Sequence, residues 1–171
     1  MNQTEQNIIL IGMMGTGKST VGEILADKLG YTLVDLDASI VAQEGMTIPE
    51  MFELHGEPYF RNAETFALRN VLSSGGPKVV ATGGGCVLRE ENRELMIQGG
   101  FVVALTAEAE AIVDRVKGDG NRPLLAGDAE ERIRTILEDR KDAYRFAHFM
   151  VDTSRIGADE VAQKILTHYR V

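Results

Sequence analysis

Gly12-Met13-Met14-Gly15-Thr16-Gly17-Lys18-Ser19 fills every fixed position of the pattern G-x-x-x-x-G-K-[ST]. The five residues before it, Asn7-Ile8-Ile9-Leu10-Ile11, form a short apolar run rich in branched side chains. The residues after it, Thr20 to Leu29, place Val21, Ile24, Leu25 and Leu29 at helical spacing. The context is therefore strand, loop, helix, which this motif requires before it can be read as a triphosphate site. A glycine-rich turn with a chance lysine is the bland alternative. A triphosphate packs several negative charges into a small volume, so closely spaced donors must meet it. Glycines at 12, 15 and 17 let backbone N–H groups approach the oxygens, and the helix opening near Lys18 adds unpaired N–H groups and the positive end of its dipole. Lys18 can reach the outer phosphates, and the Ser19 hydroxyl can ligate a magnesium ion that bridges them.

Working outward, Gly30 stops the helix, and Tyr31-Thr32-Leu33-Val34-Asp35-Leu36-Asp37 predicts a second strand ending in two carboxylates. Strands alternating with helices predict a parallel sheet covered on both faces, with ligands beyond the carboxyl ends of the strands. Side chains two apart on a strand point the same way, so Asp35 and Asp37 can look into one site. One could hold a magnesium shell through water while the other accepts a proton from an attacking hydroxyl or orients it. Capping of the following helix is the competing reading.

Thr47-Ile48-Pro49-Glu50 has capping-box spacing and predicts a helix to about His55, ended by Gly56. Pro58 opens another, with Phe60, Ala67, Leu68, Val71 and Leu72 toward a core. Arg61 and Glu64, three apart, share a face. On spacing alone they read as a surface ion pair worth about 0–1 kcal/mol, with a fork held for a planar anion as the alternative. Lys78 to Thr82 predicts a third strand, followed directly by Gly83-Gly84-Gly85. Three glycines at a strand's end are costly in backbone freedom and make sense where a ligand presses on the backbone.

A helix from about Glu91 ends at Gly99-Gly100, and Phe101 to Leu105 predicts a fourth strand. Ile112, Val113 and Val116 mark the next helix, with Arg115 pointing elsewhere. Glycines then bracket residues 118–127, whose basic side chain is Arg122, as in a hinged lid or an ordinary loop. Ala129 to about Phe146 predicts a long helix with Arg140 near its apolar stripe. Phe149 to Asp152 predicts a fifth strand, and Thr153-Ser154-Arg155 turns into a final helix.

The chain has 171 residues, 44% hydrophobic and 26% charged, with a net charge of −8. One domain is expected over 1–171. The negative balance argues against nucleic acid or an anionic membrane as partner. Cys86, the single cysteine, excludes an intramolecular disulfide and, with no nearby His to activate it, reads as a packed side chain. His55, His148 and His168 lack metal spacing. No charged-then-apolar leader opens the chain and no run approaches the roughly 20 apolar residues of a span, so a cytoplasmic protein is expected.

Taken in order, G-M-M-G-T-G-K-S, D-L-D at 35–37, F-R-N-A-E at 60–64, G-G-G at 83–85, N-R-P-L-L at 121–125 and Arg140 in R-K-D-A-Y resemble the shikimate kinase family over nearly the whole chain. The resemblance implies a three-layer α/β/α fold with a five-stranded parallel sheet, like nucleoside monophosphate kinases among P-loop NTPases, with a substrate-binding segment at about 37–61 and a lid at about 118–127. It implies transfer of the terminal phosphate of ATP to the 3-hydroxyl of shikimate, with one Mg2+, by a monomer in aromatic amino-acid biosynthesis. Carried over by position, Gly15, Thr16, Gly17, Lys18, Ser19 and Thr20 would cradle ATP. Asp37, Arg61, Gly84 and Arg140 would hold shikimate, with Asp37 at the hydroxyl and the two arginines on the carboxylate. Ser19 would ligate magnesium, Asp35 would support its shell through water, and Arg122 would close over the phosphates. Arg115 and Arg155 would lie near adenine. Another small-molecule kinase, for gluconate or a nucleotide, is the alternative enzyme, and a non-catalytic nucleotide-binding module is the alternative outside enzymes. A guanine switch would carry N-K-x-D, which is absent.

Overall fold

In the computed structural model, which describes residues 5–117 and 129–169, five parallel strands stand in the order β2-β3-β1-β4-β5. They are β1 (Asn7–Ile11), β2 (Thr32–Asp35), β3 (Lys78–Ala81), β4 (Gly100–Thr106) and β5 (Phe149–Asp152). The helices are α1 (Lys18–Leu29), α2 (Leu36–Glu44), α3 (Ile48–His55), α4 (Glu57–Ser73), α5 (Glu90–Gly99), α6 (Ala109–Lys117), α7 (Ala129–Arg140) and α8 (Ala158–Tyr169). The phosphate-loop strand β1 lies at the centre, paired with β3 through Ile9↔Val80 and with β4 through Ile9↔Val102. All five of its residues are buried, which is why it reads as an unbroken apolar run and shows no alternation.

The two-residue period still decides which layer each side chain enters. Ile9 and Ile11 join Val80, Val102 and Ala104 in a core closed by α2, α3, α4 and α5 through Ile40, Met51, Leu68 and Met96. Ile8 and Leu10 join Val79, Val103 and Val151 in a second core closed by Val21 and Leu25 of α1 and by Val161 and Ile165 of α8. A smaller third cluster sets Met13 of the phosphate loop against Ile112, Val113 and Val116 of α6 and Ile133 of α7. These layers bring the carboxyl ends of β1, β2 and β3 to one rim.

Two expected elements are corrected. The second strand stops at Asp35 and Leu36 already begins α2, so Asp37 lies in a helix's first turn and the alternation argument for the carboxylate pair does not apply. The long helix ends at Arg140, six residues before Phe146, because Ala143, Tyr144, Phe146 and Ala147 turn into the first core. The expected lid and Arg122 lie outside the described residues. No helix among the described residues is long and apolar enough to cross a membrane.

Candidate active site

Between β1 and α1 the backbone turns through Gly17, the N-cap of α1, at φ 98°, a left-handed conformation that suits glycine. No side chain caps α1 there. The loop is braced from beneath: the buried Thr16 hydroxyl donates to the Met13 carbonyl at 2.7 Å, and the Thr153 hydroxyl donates to the Thr16 carbonyl at 3.0 Å. Lys18 Nζ folds back to the carbonyls of Gly12 and Met13, the latter at 3.0 Å. Ser19 and Thr20 are exposed on the first turn of α1.

Asp35 is the N-cap of α2, its Oδ1 accepting from the Ala38 N–H at 3.2 Å. Its carboxylate is anchored at a helix N-terminus and remains exposed, so capping and a water-mediated role are compatible. Asp37, two residues on, is half-buried. Burial pushes its carboxyl above the ordinary value, the neighbouring Asp35 pushes the same way, and the charges of Lys18 and Arg61 pull against both. Asp37 thus lies within electrostatic reach of the phosphate-loop lysine and of the arginine on α4.

The triple glycine explains how these groups come so close. A methyl group on Gly83 would lie 2.9 Å from Asp37 Oδ1, one on Gly84 would lie 3.3 Å from Arg140 Nη1, and one on Gly85 would lie 2.5 Å from Arg61 Nη2. Each successive glycine therefore seats one charged side chain, an acid and two guanidiniums, delivered by α2, α7 and α4. The loop beyond is held by Asn92, fully buried, which donates to the Cys86 carbonyl at 2.9 Å and accepts from Thr65 at 2.8 Å. Cys86 itself is buried and its thiol is pushed well up by burial, in keeping with a packed side chain.

The surface ion pair expected for Arg61 and Glu64 is corrected. Glu64 is 1% exposed, and Arg61 Nη1 donates to its Oε1 at 2.9 Å. Spacing of three residues reads the same for an exposed pair and a buried one; here Ala63, Ala67 and Leu68 carry that face of α4 into the core. Burial outweighs the ion pair at Glu64 and raises its carboxyl. At Arg61 burial pulls down, and Glu64 with the exposed Glu57 overcomes it. The arrangement fixes one guanidinium fork and leaves a planar, charge-assisted surface for a carboxylate. Sequence reasoning missed Tyr144, whose hydroxyl donates to the Gly84 carbonyl at 3.0 Å across 60 residues of chain.

Arg115 turns to the phosphate loop, donating through Nη1 to the Gly15 carbonyl and the Thr153 hydroxyl, each at 3.0 Å, and through Nη2 to the Thr153 carbonyl. Arg155 is exposed, its guanidinium 3.8 Å from Glu108. The histidines pack or hydrogen-bond: His55 stacks on Tyr59, His168 on Phe149, and His148 Nδ1 accepts from the Val102 N–H at 2.9 Å. Among the described residues no three acids, histidines or cysteines form a metal-holding group. An exposed hydroxyl on Ser19 and an exposed carboxylate on Asp35 suit Mg2+, which keeps most of its waters and binds through one or two protein groups plus phosphate.

A parallel sheet in this order, with a phosphate loop leaving its central strand and an acid-and-guanidinium cluster on the same rim, defines a P-loop phosphotransferase of the small-molecule kinase type. The family model described as shikimate kinase matches residues 14–170, and the chain belongs to that family. It is 45% identical over 166 residues to the shikimate kinase of Geobacter sulfurreducens, covering 96% of this chain and 91% of that one. The solved shikimate kinase from Acinetobacter baumannii in complex with shikimate superposes with a TM-score of 0.88 at 42% identity, covering 97% of this chain and 93% of that one. The shikimate kinase from Bacteroides thetaiotaomicron superposes with a TM-score of 0.90 at 29% identity, covering 97% and 99%.

Proposed function

We propose that this chain transfers the γ-phosphoryl group of ATP to the 3-hydroxyl of shikimate, with Mg2+ as the metal, in the aromatic amino-acid pathway. The observation that carries the reading is the glycine run at 83–85, which seats Asp37, Arg140 and Arg61 side by side next to the phosphate loop. Arg61 and Arg140 grip the substrate carboxylate, and Asp37 holds the reacting hydroxyl. A new bond forms between that oxygen and the γ-phosphorus, the bond from the γ-phosphorus to its bridging oxygen breaks, and the hydroxyl proton passes toward Asp37. Lys18 leaves the carbonyls of Gly12 and Met13 and turns to the outer phosphates, while Gly15 to Thr20 present backbone and hydroxyl donors. Ser19 would ligate the magnesium and Asp35 would order its water shell. The ion, when bound, would supply charge neutralisation to the phosphates. Arg122 is assigned to the phosphates by its place in the sequence, Arg115 to the loop and the adenine side, and Arg155 to the adenine rim. Phosphoryl transfer asks for alignment and charge stabilisation above all, and these groups supply both.

Coupled measurement of ADP release tests the reading. Turnover is expected to depend on shikimate and on Mg2+, with little on gluconate or nucleoside monophosphates. Turnover that ignores shikimate and follows one of the others would overturn it.

A further inference from the structure

Three consecutive glycines have no side chains of their own to hold them, yet they seat the three charged groups of the site, so something else must fix their peptide planes. The carbonyls along this loop are held one by one. Gly83 accepts from the Cys86 N–H at 3.1 Å, Gly85 from the Leu88 N–H at 3.1 Å, and Cys86 from Asn92 Nδ2 at 2.9 Å. Those partners lie within six residues of the loop. The Gly84 carbonyl differs: it accepts from the Tyr144 hydroxyl at 3.0 Å, and Tyr144 sits four residues after Arg140 in the turn that ends α7. The turn is itself ordered, with the Ala143 N–H bonded to the Arg140 carbonyl at 2.9 Å, and the Tyr144 ring is 5% exposed in the first core.

A peptide unit is planar, so fixing the Gly84 carbonyl also fixes the Gly85 N–H. Gly84 faces Arg140 and Gly85 faces Arg61. Rotating this one unit would shift the floor beneath both guanidiniums. We propose that Tyr144 is a positioning residue for the carboxylate grip: its hydroxyl ties the glycine loop to the segment carrying Arg140, and so sets the separation and tilt of the Arg61 and Arg140 guanidiniums. Burial raises the phenol above its ordinary value, with Arg140 pulling partly against it, so the hydroxyl stays protonated and able to donate. Tyr144 acts through Gly84 and the two arginines and does not need to touch substrate. This assignment rests on the reading that a carboxylate-bearing substrate binds there.

The test is Tyr144→Phe, which keeps the ring in the core and deletes the donor, alone and combined with Arg140→Lys. In Tyr144→Phe the KM for shikimate is expected to rise about five- to tenfold, as loss of one buried hydrogen bond implies, while the KM for ATP stays within about twofold. In the Arg140→Lys background the same change is expected to cost less than about twofold, because the two residues act on one contact. An unchanged shikimate KM overturns the assignment. So do fully additive effects in the double variant, and so does a parallel loss of shikimate and ATP affinity or of the fold, which would make Tyr144 a packing residue only. Wild-type turnover of shikimate, measured alongside, separates the two claims: its absence sinks the substrate reading and this assignment with it, whereas normal wild-type turnover with an unaffected Tyr144→Phe sinks this assignment alone.

Discussion

Asp37 carries a conflict that decides its chemistry. Burial and the nearby Asp35 favour its neutral form, while Lys18 and Arg61 favour the carboxylate. The net shift is upward, so in the free enzyme kcat/KM for shikimate is expected to fall on the acid side with a midpoint above the ordinary aspartate value of 3.8. The sign for stability is opposite to that of a salt-bridged acid. A carboxyl with a raised folded pKa contributes stability that is fully present below its unfolded pKa and lost as pH rises through the folded one. Asp37→Asn is therefore expected to lose most turnover while melting no lower than wild type at neutral pH. Near-normal turnover would remove Asp37 from the chemistry, and a clear drop in melting temperature would contradict the burial argument. Asp37 was legible in the sequence as a candidate, because a pair of carboxylates ends the apolar run that follows the phosphate-loop helix. Its geometry was not, since aspartate ends strands and caps helices equally well, and only the backbone at Leu36 distinguishes them.

At the scale of elements, the loop after β3 and the helices that converge on it form one device. Gly85 has an ordinary φ of −92°, so a side chain there meets no backbone strain; it meets the Arg61 guanidinium instead. Gly85→Ala is expected to raise the KM for shikimate by about tenfold or more and to lower the melting temperature, by pushing Arg61 off its 2.9 Å contact with the buried Glu64. An unchanged KM would show that the guanidinium has room to spare. The sequence made the glycine run legible as a place where something presses on the backbone. It could not say that the pressing groups come from α2, α4 and α7, because these contacts span tens of residues. For the same reason the burial of Glu64 and the reach of Tyr144 were invisible: a three-residue spacing is silent about solvent, and a phenol bonded to a distant carbonyl leaves no local pattern.

Across the whole molecule, the strand order puts β1 between β3 and β4, so the phosphate loop leaves the middle of the sheet with the glycine run of β3 on one side and α6 on the other. The net charge of −8 is therefore offset locally by Lys18, Arg61, Arg115 and Arg140, gathered where anionic phosphates and a carboxylate would bind. Alternating strands and helices made the layered parallel sheet legible, because each element carries its own hydrophobic period; the premature end of α7 was not, because the core that recruits Tyr144 is assembled from distant parts of the chain. The central claim is that one rim holds both substrates in register for direct transfer. A structure with a non-hydrolysable ATP analogue, Mg2+ and shikimate bound together tests it most directly. The account predicts the shikimate carboxylate bonded to both Arg61 and Arg140, with its 3-hydroxyl about 3 Å from Asp37 and facing the γ-phosphorus. Shikimate bound elsewhere, with both guanidiniums turned to solvent, would contradict it.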